Sequence, residues 1–157
     1  MAIVKTNALR ILEAANVPHT AYTYDPSDGR IDGPSVAEKI GQDAECVFKT
    51  LVTLGKTLGP LVFVVPVTDE LDLKKAALAS GDKHVEMLKS KDLEPLTGYI
   101  HGGCSPVGMK KAFPTFLEES AQLYDVIYVS GGKLGLQMGL DPGDLLTVTG
   151  GVYADLI

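Results

Sequence analysis

With 157 residues, 45% of them hydrophobic and 22% charged, the chain has the composition of an ordinary globular protein, long enough to bury a core of its own. Its formal net charge of −6, with 14 Lys and Arg against 20 Asp and Glu, excludes non-specific nucleic-acid binding, which needs clustered cations that release counter-ions. A nucleic-acid substrate would have to be gripped at one small part, or with a partner's help. No apolar run approaches the roughly 20 residues that cross a bilayer. The start, MAIVKTNALRILEAA, shows an amphipathic spacing rather than a signal sequence. Two distant cysteines and three histidines suit neither a zinc site nor a disulfide framework, so the expected compartment is the reducing cytoplasm.

In chain order, Thr6 is placed to cap a helix running to about Ala15, which Pro18 stops. HTAYTYD (19–25) alternates as a strand does, and PSDGRIDGP reads as a loop. Ser35 opens a short helix ended by Gly41. CVFKTLVTL (46–54), the turn GKTLGP and LVFVVPV (61–67) form a hairpin. Asp72 caps LKKAALAS, closed by Gly81; HVEML is a short strand and KSKDLEPL one or two helical turns. YDVIYVS (124–130) is a strand turned by SGGK into LGLQMGL, Asp141 and Pro142 open a last short helix, and VYADLI is an edge strand. The expected fold is α/β of the α+β kind: one domain over 1–157, a mixed and mainly antiparallel sheet surrounded by short helices.

Three stretches could carry chemistry. In CVFKTLV both strand faces are apolar, yet Lys49 sits among them. It is either a lysine snorkelling from the strand or a cation aimed into a pocket, where a low dielectric strengthens its hold on a phosphate or developing oxyanion. HGGCSPVG (101–108) combines backbone freedom at Gly102, Gly103 and Gly108 with the fixed dihedral of Pro106. It is either a tight turn or a cradle that points N–H groups at an anion or carbonyl. Within it, Cys104 and His101 could in principle make an activated thiolate, with no orienting Asn or Asp apparent. The third stretch, Ser130-Gly131-Gly132-Lys133, follows a strand but lacks the spacing of an ATP-binding loop. His19, His84 and Tyr22 read as structural.

Together, YTYDPSD, VFKTLV, ELDLKKAALASG, HVEML, LTGYIHGGCSPVGMKK and IYVSGGKLGL resemble the YbaK/EbsC family in order and approximate spacing, over nearly the whole chain. That family consists of free-standing relatives of the editing domain of bacterial prolyl-tRNA synthetase. The resemblance implies a trans-editing deacylase of mischarged aminoacyl-tRNA, with Cys-tRNA(Pro) the foremost substrate, as a translation quality-control factor. It implies that Lys49 is the essential lysine and that Gly102, Gly103, Ser105 and Pro106 belong to a GxxxP loop holding the aminoacyl end. Tyr24, Ile31, Thr50, Ser130 and Gln137 are the further substrate-binding residues it implies. It implies no cofactor and no metal, and a tRNA acceptor end and prolyl-tRNA synthetase as partners. The substrate's own cysteine thiol would attack its ester, so Cys104 need not be a nucleophile. Cys104, Leu134, Gln137 and Ile31 depart from common residues of the family. They leave open removal of alanine or another small amino acid, and a non-catalytic binding module on the same fold.

Overall fold

The computed structural model describes residues 5–157. The first helix, α1 (Asn7–Ala14), begins at Thr6, whose hydroxyl accepts the N–H of Leu9. It ends before Pro18 is reached: Asn16 adopts φ 56°, and the N–H groups of Asn16 and Val17 return to the carbonyls of Glu13 and Leu12. This left-handed close satisfies carbonyls that a proline two residues later could not. The second helix, α2 (Gly33–Ile40), starts two residues before the expected Ser35, because the Asp32 carboxylate accepts the Ser35 N–H and Pro34 presets the first turn. Asp72 and Asp141 cap α3 (Leu73–Ser80) and α5 (Pro142–Thr149) as their positions predict, and α4 (Ser90–Thr97) lies between them.

The strands divide into two sheets rather than one. In the first, β1 (His19–Thr23) and β6 (Ile127–Ser130) flank β7 (Leu136–Leu140), all antiparallel. In the second, the order is β4 (Val85–Met87), β2 (Phe48–Gly55), β3 (Gly59–Pro66), β5 (Thr115–Glu118), β8 (Val152–Ala154). The ladders of β2 with β3 and β4 are antiparallel, whereas β3–β5 and β5–β8 are parallel. A single parallel bridge, Val47 to Tyr128, joins the two sheets.

The core explains the apolar run of β3. Val62 and Val64 face a main cluster shared with Leu12 of α1 and Leu117, Met138 and Leu140 of the strands. Leu61, Phe63 and Val65 face the other way, onto Ala76 of α3, Val85 and Leu156. A strand covered on both faces needs no polar alternation. Phe63 also stacks on Phe116 of β5, with ring centroids 5.2 Å apart. Each fully buried Leu or Phe contributes roughly 1.5–3 kcal/mol relative to an exposed one. Among the described residues no helix is long and apolar enough to cross a membrane.

Candidate functional site

The junction of the two sheets builds the site. Val47 bridges Tyr128 in parallel register, so two residues further on Lys49 comes level with Ser130, and Ser130 is paired with Gln137. Side chains repeat every two residues along a strand, so this row across β2, β6 and β7 points one way. It opens into a cavity of about 280 Å³, walled on other sides by Ile31, Gly102, Cys104 and Leu93.

Lys49 keeps 28% of its side chain exposed, and its ammonium has one ion-pair contact, 3.5 Å to Oε1 of Glu70. Lys49 lies on strand β2 and lines the cavity, while its ammonium reaches the exposed Glu70 carboxylate, as a snorkelling lysine does. The Ser130 hydroxyl accepts the N–H of Gly132 at 3.2 Å, which leaves its own O–H to donate. Oε1 of Gln137 and Oγ1 of Thr50, both on cavity-lining residues, are buried without a hydrogen-bond partner. Buried polar atoms left unpaired are uncommon and costly, and the other such atom among the described residues, Oγ of Ser120, lies away from the cavity.

The glycine loop is braced from behind. Tyr99 donates its hydroxyl to the carbonyl of Val107 at 2.6 Å, and the Gly103 N–H closes on Ile100 at 3.0 Å. Gly102 has φ 84°, and a β-carbon there would come within 2.7 Å of Leu134 and 3.3 Å of Ile31. A β-carbon at Gly103 would lie 3.0 Å from the Lys133 backbone. Gly102 is therefore favoured by its left-handed conformation, and Gly103 by the close approach of the Lys133 backbone.

Of the residues singled out from sequence, the cavity brings together Ile31, Lys49, Thr50, Gly102, Ser130 and Gln137. Tyr24, Gly103, Ser105 and Pro106 do not line it. The Tyr24 ring lies 5.8 Å beneath the Lys39 ammonium, Ser105 is fully buried and accepts the Val107 N–H, and Pro106 lines a separate hollow beside α1. Cys104 does line the cavity, but only 8% of it is exposed, and burial alone pushes its thiol up to about 12. Such a thiol stays protonated at neutral pH and is not an activated nucleophile, although His101 shares the cavity. Glu70 was not legible as a site residue, because an acid in the loop TDELD carries no sequence signal of facing a lysine 21 positions earlier.

One group of potential metal ligands occurs among the described residues, Glu118, Glu119 and Asp155, away from the cavity. The Glu118 carboxylate there accepts the N–H groups of Ser120 and Leu156, a structural use.

A cavity with one cation, a hydroxyl donor and a glycine-shaped wall suits a small ester or anion held at one end of a larger molecule. Residues 34–148 match the family model described as the aminoacyl-tRNA editing domain. The chain is 53% identical over 152 residues, 97% of its length and 93% of the relative's, to EbsC of Enterococcus faecalis, provisionally named a Cys-tRNA(Pro)/Cys-tRNA(Cys) deacylase. The chain belongs to the aminoacyl-tRNA editing domain family. A solved structure described provisionally as a trans-editing enzyme for prolyl-tRNA synthetase superposes with TM-score 0.82 at 26% identity, covering 98% of both chains. A second, of a hypothetical protein, has TM-score 0.87 at 21% identity over 96% of this chain and 99% of that one, a likeness of fold.

Proposed function

We propose that this protein is a cytoplasmic trans-editing deacylase whose first substrate is Cys-tRNA(Pro), with Lys49 as its essential cation. The observation that carries the reading is the pairing of an ammonium with a glycine-walled cavity in which the only thiol is held protonated. The acceptor end enters with its ester carbonyl near Lys49 and Ser130, whose N–H and O–H donors stabilise charge developing on the carbonyl oxygen. The unpaired Oε1 of Gln137 supplies a position for the aminoacyl ammonium.

The nucleophile then comes from the substrate. The cysteinyl sulfur bonds to the ester carbon, the bond from that carbon to the ribose oxygen breaks, and the thiol proton ends on that oxygen. Holding thiol and ester together makes the attack intramolecular, which alone can supply a large part of the rate. The net charge of −6 fits a protein that holds only the end of a tRNA, with prolyl-tRNA synthetase supplying recognition of the remainder.

The test is a deacylation panel of Cys-, Ser-, Ala- and Pro-tRNA(Pro) with the purified protein and Lys49→Ala. Cys-tRNA(Pro) should be cleaved and Ser-tRNA(Pro) spared, since a hydroxyl replaces the thiol. Lys49→Ala should be slower by about 10²-fold or more, the range for removing one oxyanion donor. Full activity in Lys49→Ala, or no cleavage of any species, sinks the reading. Preferential cleavage of Ala-tRNA(Pro) would mean that water attacks in place of the thiol.

A further inference from the structure

Two carboxylates stand near the cationic cavity, and they are held in opposite ways. Asp32 lines it, but its carboxylate is engaged as the cap of α2, accepting the Ser35 N–H at 2.9 Å and the Ser35 hydroxyl at 2.8 Å. Those bonds hold its carboxyl below the ordinary carboxylate range. Glu70 contacts only the Lys49 ammonium, at 3.5 Å, with 94% of its side chain in solvent. Its backbone, by contrast, is anchored on both sides: the Asp69 N–H bonds Pro66 and the Asp72 N–H bonds Leu156. A fixed arm thus carries a freely rotating carboxylate to the mouth of the site.

An ion pair so exposed is worth little and is easily exchanged. Resting on the reading of Lys49 given above, we infer that Glu70 is the exchangeable counter-ion of Lys49. It neutralises the ammonium while the cavity is empty and swings into solvent when an acceptor end presents its ester and phosphate oxygens. Every ligand that takes the lysine must first displace this carboxylate. Each such ligand bears the small cost of breaking the pair, which makes Glu70 a determinant of affinity at the binding step. It touches no reacting atom, so its effect belongs in KM and not in kcat.

The experiment compares Glu70→Gln with Asp69→Asn. The second variant removes the same charge one residue away, from a carboxylate that accepts the Thr68 hydroxyl and makes no contact with Lys49. KM for Cys-tRNA(Pro) should fall up to about fivefold in Glu70→Gln at low salt, with kcat unchanged, and the gain should fade as salt screens the pair. Asp69→Asn should resemble wild type. A tenfold fall of kcat in Glu70→Gln, or equal behaviour of the two variants, overturns the inference. A chemical-shift titration of wild type and both variants with adenosine 5′-monophosphate reads the exchange without turnover. It keeps Glu70 testable even if no mischarged tRNA is cleaved: absence of tighter binding in Glu70→Gln overturns the counter-ion role, whereas tighter binding without deacylation counts against the proposed activity alone.

Discussion

Lys39 and Lys49 are both largely buried lysines, and their surroundings could hardly differ more. The Lys39 ammonium donates to the carbonyls of Asp25 and Arg30 and to Oδ1 of Asp28, at 2.7–3.0 Å, and lies over the Tyr24 ring. Three donors meet three acceptors, so this lysine is fully engaged in closing the 25–30 loop onto α2. Lys49 has one contact, longer and solvent-exposed, and faces a cavity. A saturated lysine is part of the architecture; an unsaturated one at a cavity is free to take a ligand. The contrast also accounts for Tyr24, which serves the loop clamp and not the cavity wall.

The sharpest way to break this comparison is to remove each charge in turn. Lys49→Met should lower deacylation by about 10²-fold or more while leaving the melting temperature near that of the parent. Lys39→Met should do the reverse, keeping activity within about tenfold while the 25–30 loop becomes a site of limited proteolysis. Similar losses of activity in both variants would show that the loop clamp, not the lysine in the cavity, governs the site.

Gly102→Ala comes next. The left-handed φ of 84° and the 2.7 Å approach of Leu134 predict about 1–2 kcal/mol of destabilisation, with a raised KM from displacement of the loop. Thermal unfolding and steady-state kinetics measure both, and an unchanged KM would separate the loop's shape from substrate binding.

The smallest effect is expected at Cys104. On the proposed mechanism, in which positioning carries the reaction, Cys104→Ser should deacylate within about threefold of the parent. A thiol pushed up to about 12 gives the sign of its pH dependence: alkylation by iodoacetamide should be slow at pH 8 and accelerate only as pH rises toward that value. Rapid modification near pH 7 would return Cys104 to consideration as a nucleophile.

Much of the local structure was legible because its signals are local. Thr6, Asp72 and Asp141 cap helices through bonds to N–H groups two or three residues on, and Gly41 and Gly81 close helices with positive φ. Strand β5, TFLE at 115–118, escaped notice because it is four residues long beside a proline. What makes it a strand is parallel pairing to β3 and β8, partners far away in sequence. Pro106 reads as part of one loop with Gly102, yet the chain turns between them and sends the proline to a different hollow. Glu70 shows the same limit from the other side, since its only distinguishing property is a neighbour in space.

The sequence by itself determined the helices, the hairpin, the out-of-place lysine on an apolar strand and the glycine-rich loop, since caps, periodicity and backbone freedom act over a few residues. Only the tertiary structure decided that the strands form two sheets joined at Val47 and Tyr128, and that this junction sets Lys49 beside Ser130 and Gln137. It also decided that Cys104 is buried and that Glu70 lies beside Lys49. Burial and ion pairing depend on what packs nearby, and no spacing along the chain encodes that neighbourhood.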